Sequence, residues 1–245
     1  DAMVGLGQRA VGFYDEWYED SSPLVVVLGK VLAVAPGAEW AFHRLSLLHT
    51  RKERWDELLA LYDGALLHEK DAARRAQLLD EGAKIARDFA KDADRAITYL
   101  SQLAEARPKD AKIVAALERL YEKQSRHADL AALWTRRLPA TPEDAVPAHR
   151  AKLAALYLDR LDDAANALAI GAPLLDHAPH AELAEGLLGR IVAGESYGSS
   201  IRVKASQLLR KAFANRPADL SEVLPHAIRL IEGADRVQAH RDAAS

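Results

Sequence analysis

Hydrophobic residues recur along this chain with the period of an amphipathic helix. From Trp40 onward, apolar positions lie three or four residues apart, and the strict alternation of apolar and polar residues that is typical of strands is almost absent. The pattern predicts paired helices over residues 40–52 and 54–69, 77–90 and 93–108, 111–124 and 128–138, and 148–161 and 163–179. We therefore expect an all-α protein.

The helical segments repeat with a period close to 34 residues. Small or aliphatic residues at equivalent places in five helices are spaced by 34, 38, 34 and 34 positions, namely Leu24, Leu58, Ala96, Leu130 and Ala164. A proline follows three of them by twelve positions, at Pro36, Pro108 and Pro142. Because no helix is apolar enough all round to form its own core, each must bury its apolar stripe against its neighbours. The period predicts a solenoid of stacked antiparallel helix pairs.

The repeated positions resemble those of the tetratricopeptide repeat family, although the repeats here are degenerate. The best-matched unit has Val114, Leu117, Tyr121, Leu130, Trp134 and Pro142. The other units have Phe42, Leu45, Ser46, Leu58, Tyr62 and Ala65; Leu79, Gly82, Ala83, Ala96, Leu100 and Pro108; and Leu153, Ala154, Tyr157, Ala164 and Leu168. The resemblance covers residues 24–179. It implies an α–α superhelical solenoid in which the first helix of each pair lines a concave, partner-binding face.

We expect one helical-repeat domain over residues 1–245. It would comprise an N-terminal helix pair at 1–37, four repeat-like pairs at 38–179 and degenerate helices at 180–245. Three aspartates are predicted to cap helix N-termini: Asp110, Asp162 and Asp219.

Aromatic residues at repeat positions are expected to be buried where neighbouring pairs interdigitate: Tyr62, Tyr121, Trp134 and Tyr157. A denser cluster, Phe13, Tyr14, Trp17 and Tyr18, is expected to cap the first repeat, with an interface to a partner or an upstream repeat as the alternative.

Composition and charge narrow the function classes. The net charge of −3 argues against a general nucleic-acid binder, which needs surplus Lys and Arg to neutralise phosphates. The absence of Cys excludes disulfides and thiolate metal sites. The longest apolar run, residues 24–36, is interrupted by Lys30 and is shorter than the roughly 20 residues of a membrane helix. We expect a cytoplasmic protein, and the high Ala and Arg content suggests a bacterial source.

The family resemblance assigns a candidate partner-binding face to the first helix of each pair. The candidate residues are His43, Leu47, Arg51, Lys84, Arg87, Arg119, Lys123 and Lys152. Asp80, Glu81 and Glu122 are interspersed, but the line leans basic, which favours an acidic or carboxylate-bearing peptide as the partner. For any single residue, a merely solvated charged face explains the pattern equally well.

Three short motifs suggest other chemistry. Residues 194–198, Gly-Glu-Ser-Tyr-Gly, match the nucleophile elbow of a hydrolase, with Ser196 as the nucleophile and His226 or His240 as its base. Because the elbow needs a parallel sheet that the pattern does not predict, we expect an interhelical loop. Residues 5–10 match a dinucleotide fingerprint but lack a preceding strand, so we expect a helix there. His177 and His180 lie near Asp176 and Glu182, and we expect surface residues, not a metal site.

Three hypotheses about function therefore remain. The first is a non-catalytic scaffold that binds a protein or peptide partner and needs no cofactor. The second is a structural spacer of a larger repeat protein or assembly, whose ends stack on further repeats. The third, a serine hydrolase that uses Ser196, requires strands.

Overall fold

The computed structural model describes residues 5–9, 11, 22–214 and 220–244, and it has no strand among them. The fold is an all-α helical solenoid, as the sequence predicts. The chain divides into two compact units, residues 1–124 and 125–245, which we call the N-terminal and C-terminal units. The predicted organisation as a single repeat domain with boundaries at residues 37 and 179 stays a prediction.

In the N-terminal unit, each helix packs against the next one along the chain. The helices are α1 (Ser22–Val34), α2 (Glu39–Arg51), α3 (Trp55–His68), α4 (Ala72–Lys84), α5 (Ala93–Ala106) and α6 (Ala111–Lys123). A π-helical segment, Ile85–Ala90, continues α4. These bounds agree with the predicted helix pairs to within a few residues.

The C-terminal unit is built in the same way. Its helices are α7 (His127–Arg137), α8 (Val146–Arg160), α9 (Ala164–Gly171), α10 (Ala178–Ala193), α11 (Ser199–Ala214) and α12 (Leu220–Ala244). Besides packing on its neighbours, α10 also contacts α8 and α12. The core of this unit is formed by apolar side chains such as Leu188, Ile191 and Leu209, which are fully buried.

Aspartate side chains cap the N-termini of α4, α5, α6 and α9. Asp110 accepts a hydrogen bond from the backbone N–H of Lys112 at 2.9 Å, as predicted for an N-terminal cap. The prediction for Asp162 is wrong by one residue: Asp163 caps α9 by accepting from the Asn166 N–H at 3.0 Å. Asp162 instead adopts a left-handed backbone, with φ of 52°. Asp219 lies outside the described residues.

The turn after the first helix of each pair uses a residue in the left-handed backbone region. These residues are Glu53, Lys91, Ser125 and Asp162, with φ of 53°, 58°, 54° and 52°. Glycine is the residue that adopts this conformation without cost, and none of the four is glycine. The turn therefore repeats in backbone geometry although its sequence does not repeat.

Tyr99 connects three consecutive helices of the N-terminal unit. It belongs to α5, and only 2% of its surface is exposed. Its hydroxyl donates a hydrogen bond to Asp63 Oδ1 of α3 at 2.5 Å, and burial raises its pKa, so it stays a donor. Its ring lies so close to Gly82 of α4 that a Cβ at that position would be 3.1 Å from the ring carbon Cε2. Gly82 therefore allows the close approach of α4 and α5.

We expect opposite effects from two glycine-to-alanine substitutions in helices of this unit. Alanine is a better helix former than glycine by about 1 kcal/mol. Gly64→Ala in α3 should stabilise the protein by about 0.5–1 kcal/mol, because nothing lies within 4 Å of the added Cβ. Gly82→Ala should destabilise it by about 1 kcal/mol, because the pinned Tyr99 ring cannot move aside. Urea unfolding of both variants measures this, and equal stabilisation by both would show that the ring yields.

A buried histidine of α2 is expected to make the free energy of unfolding depend on pH. His49 is 5% exposed, and its Nδ1 has no hydrogen-bond partner. Burial lowers its pKa from the ordinary value of 6.5, Arg54 adds to this effect, and Glu57 opposes it. The neutral imidazole therefore favours the folded state above pH 6.5, and this contribution is lost as the pH falls below 6.5, because the unfolded chain then binds the proton more readily.

We predict that His49→Gln reduces the loss of stability in acid. Between pH 7.5 and 5.5 the free energy of unfolding of the parent should fall by more than that of the variant, by up to about 1 kcal/mol. Urea titrations at the two pH values measure the difference. Between pH 7.5 and 8.5 the two proteins should respond alike, because the imidazole is then neutral in both states. Parallel losses in acid would exclude His49 as the source.

Candidate functional site

All eight candidate partner-binding residues are exposed on the helices where the sequence places them. In the N-terminal unit, α2 carries His43, Leu47 and Arg51, α4 carries Lys84, the π-helical segment carries Arg87, and α6 carries Arg119 and Lys123. The C-terminal unit carries Lys152, on α8. Exposure leaves these side chains accessible to a partner, and their assignment to one binding face stays a prediction.

Two of the candidate cations are already paired with carboxylates of their own segment. Lys84 Nζ lies 2.6 Å from Asp80 Oδ2, one helical turn away. The Arg87 guanidinium donates two hydrogen bonds to Asp88, at 2.7 and 2.8 Å, and these hold the pKa of Asp88 below its ordinary value of 3.8. The surface at the end of α4 is therefore less basic than the line of candidates suggests.

A third carboxylate near this line also has partners. Glu81 accepts a hydrogen bond from the Tyr62 hydroxyl of α3 at 3.0 Å and another from Gln77 Nε2 at 2.8 Å. Burial, together with Glu81, raises the pKa of Tyr62, which keeps its hydroxyl a donor. Glu81 thus holds α3 against α4 and is not simply a solvated charge.

The remaining candidate cations are available for pairing with a ligand. Among the residues that the structure describes, no ion pair involves Arg51, Arg119, Lys123 or Lys152. Arg119 and Lys123 are four residues apart on α6, so they lie on the same side of that helix. Together they form the most strongly basic pair of the predicted line.

The structure adds an exposed phenylalanine, stacked on a half-buried tryptophan, that the sequence pattern did not single out. Phe89 lies in the π-helical segment and is 57% exposed. Its ring centroid is 5.0 Å from that of Trp55, the first residue of α3, with 31° between the ring planes. Leu47 of α2 is also exposed, at 56%. In the sequence, the only sign of an exposed aromatic residue here is that Phe89 directly follows two charged residues. The π-helical turn that exposes Phe89 has no sequence signature.

The predicted burial of the repeat aromatics is confirmed only in part. Tyr62 and Tyr121 are buried, whereas Trp134 and Tyr157 are half-buried. The Trp134 ring meets the His149 ring edge-on at 6.1 Å. Because this ring is not enclosed, truncating it should cost less than the 3–5 kcal/mol typical of a fully buried aromatic residue. The cluster from Phe13 to Tyr18 lies outside the described residues.

The loop that matches a nucleophile elbow joins two helices. Residues 194–198 separate α10 from α11, and no strand precedes them in the described part of the chain. Ser196 is exposed there, and the neighbouring Tyr197 donates its hydroxyl hydrogen to Asp162 Oδ1 at 2.9 Å. His240 is exposed on α12, and the side chain of His226 is not described. The strand-supported geometry of an elbow is therefore missing here.

The other two motifs also have structural surroundings. Residues 5–9 are helical, as expected, and a Cβ on Gly7 would come within 2.6 Å of Val31 Cγ2 of α1, so this glycine allows close packing. His177 is exposed and His180 is half-buried. The described residues contain no group of three or more His, Asp or Glu side chains placed to hold a metal ion. Nor do they include a helix that is long and apolar enough to cross a membrane.

Comparisons with known proteins give little further information. No known protein family and no curated protein matches this sequence. Among solved structures, the chain is similar to BtubC (BKLC) from P. vanneervenii, with 13% sequence identity over 99% of this chain and 91% of that chain. The TM-score is 0.30. A likeness this weak assigns neither a family nor a function.

We predict that Ser196 is chemically inert. Without a strand to support the turn, its hydroxyl lacks the fixed orientation and the oxyanion donors that acyl transfer requires. A fluorophosphonate probe should leave the protein unlabelled, as judged by intact-protein mass spectrometry, and Ser196→Ala should give the same spectrum. Stoichiometric labelling of the parent that disappears in Ser196→Ala would show instead that the loop is a nucleophilic centre.

Proposed function

We propose that this protein is a non-catalytic scaffold of tetratricopeptide-like repeats that binds an acidic protein or peptide partner through the first helices of its pairs. We further propose that it acts in the cytoplasm of a bacterium and takes no cofactor. In the N-terminal unit the proposed partner-binding residues lie on α2, α4, the π-helical segment and α6, and they are His43, Leu47, Arg51, Lys84, Arg87, Phe89, Arg119 and Lys123. Lys152 of α8 is the candidate residue of the C-terminal unit. Nucleic acid is not the expected partner, because the chain has more carboxylates than cations.

The main support is the mixture of side chains that these helices expose. Leu47 and Phe89 are more than half exposed, yet helices of a solvated surface need no apolar side chains there. Each lies on a segment that also exposes Arg, namely Arg51 and Arg87. Aromatic residues and Arg are enriched at protein interfaces. This combination favours a protein ligand over a small molecule.

The distribution of ion pairs supports an acidic partner. Carboxylates of the same segment already neutralise Lys84 and Arg87, so these two residues contribute little net attraction. Arg51, Arg119 and Lys123 keep their positive charges uncompensated by ion pairs in the described structure. Such charges steer an oppositely charged ligand and cost the fold little to retain.

Reversing two charges on α6 tests this proposal. We expect Arg119→Glu/Lys123→Glu to abolish retention of the native partner when the protein is used as bait in extracts of its source cells. The matched control is Arg107→Glu/Lys109→Glu, which changes the net charge equally at exposed positions between α5 and α6. Quantitative mass spectrometry should find a protein that the parent and the control retain and that the α6 variant loses.

Calorimetric titration with that protein then checks the mechanism. The affinity difference between the α6 variant and the parent should shrink as salt is raised from 50 to 500 mM, because exposed charges are screened over about 8–10 Å at physiological ionic strength. Unfolding free energies should differ by less than about 1 kcal/mol, because the substituted side chains are exposed and make no ion pair in the described structure. A partner retained equally by all three baits would contradict binding at this face.

A second candidate, a structural spacer of a larger repeat assembly, is favoured by the surface of α1. Val26 and Val34 of this helix are 57% and 60% exposed, as on a helix that stacks against another repeat. The described side chains of α12, by contrast, expose mainly charged groups such as Glu232 and Arg236. Val26→Lys/Val34→Lys separates the two candidates, because it should prevent stacking on a further repeat and leave partner binding at α6 intact.

A further inference from the structure

A cleft of about 710 Å³ lies between the beginning of α11 and the end of α12 in the C-terminal unit. Val203 and Val237 form an apolar floor, and both are nearly buried, at 6% and 5% exposure. Elsewhere the two helices are held together by an ion pair between Arg210 and Asp235 and by apolar packing around Leu209. The opening therefore lies between two helices that pack against each other, and its volume falls within the range of ligand pockets.

The rim of this cleft is positively charged. Its polar lining residues are Ser199, Ser200, Arg202, Lys204, Gln207, His240 and Arg241. Three of these carry a full positive charge, and none of the described residues that line the cleft is a carboxylate, although carboxylates outnumber Lys and Arg in the chain as a whole. Nearby acidic residues of α12 are engaged elsewhere: Asp235 pairs with Arg210, and Asp242 accepts from Gln238 at 2.9 Å.

Arg202 is held in position before any ligand arrives. Its Nε donates a hydrogen bond to the carbonyl oxygen of Val192, at the end of α10, at 2.9 Å, and the side chain is half-buried. This bond uses one of the five guanidinium donors, so the terminal amino groups remain able to bind an anion. A cation fixed in this way loses little conformational entropy when it binds, which favours carboxylate recognition.

We propose that this cleft binds a short acidic segment of a protein partner, with an aliphatic side chain over Val203 and Val237 and flanking carboxylates on Arg202, Lys204 and Arg241. The size of the cleft favours a peptide over a free inorganic anion, because such an anion would fill only a small part of its volume of about 710 Å³. This inference rests on the proposed function only in taking the ligand to be part of a protein. The cleft belongs to the C-terminal unit, whereas α6 belongs to the N-terminal unit.

A defined probe tests the proposal on the full chain. The probe is a fluorescein-labelled octapeptide, Glu-Asp-Leu-Glu-Asp-Leu-Glu-Asp, titrated by fluorescence anisotropy at 50 mM salt. Lys204→Glu/Arg241→Glu should weaken its binding by about tenfold or more, because both charges become repulsive. The matched control is Lys211→Glu/Arg236→Glu, which makes the same changes at exposed positions of the same two helices outside the cleft and should bind like the parent. Circular dichroism confirms that all variants remain folded.

Each outcome decides the matter. Selective loss in the cleft variant, with weaker binding of the same peptide carrying Ser in place of Leu, supports the site. Equal affinities of the cleft and control variants for the probe would overturn the proposal. It would also be overturned if pyrophosphate displaced the probe and the Leu and Ser peptides bound equally well, because the cleft would then be a simple anion site. Arg119→Glu/Lys123→Glu in the same titration keeps the two proposals apart, because it should leave probe binding unchanged even where the native partner is lost.

Discussion

The buried ring of Tyr99 fixes the spacing of three consecutive helices, and the rest of the N-terminal unit depends on that spacing. Its hydroxyl reaches Asp63 of α3 while its ring lies against Gly82 of α4, so α5 can neither slide nor withdraw without leaving a buried polar group unpaired. Dispersion and apolar burial supply most of the stability of such a fold, but they do not choose a register. The register is set by the hydrogen bond between Tyr99 and Asp63 and by the absence of a Cβ at Gly82.

A hydrogen bond from a tyrosine hydroxyl to a carboxylate also joins other segments of the chain. Tyr62 bonds to Glu81 between α3 and α4, and Tyr197 bonds to Asp162 between the turn after α10 and the end of α8. In each case a carboxylate that appears in the sequence as a solvated charge holds two segments together. Several acidic residues are therefore engaged in contacts within the fold, which leaves the exposed cations a larger share of the unpaired surface charge.

The helical bounds followed from the sequence because the apolar stripe of each helix and the turn residues between helices are local signals. What the sequence did not reveal depends on contacts between distant positions or on backbone geometry. The pairing of Lys84 with Asp80 could have been predicted from their four-residue spacing. The stacking of Phe89 on Trp55 could not, because it arises from a π-helical turn. Trp134 shows the converse error, since a repeat position predicts a packing site but not how fully the site is enclosed.

Charge at the level of the whole chain is a poor guide to the surface that a ligand meets. A net charge of −3 predicts weak repulsion of an acidic partner if charges are averaged over the molecule. In this fold, however, many of the carboxylates are engaged in contacts within the protein. Three accept hydrogen bonds from tyrosines and two neutralise neighbouring cations, namely Asp63, Glu81 and Asp162, and Asp80 and Asp88. Because screening limits exposed charges to about 10 Å, a ligand responds to the local set and not to the total. The local surface around Arg119 and Lys123 can therefore be basic although the chain as a whole is acidic.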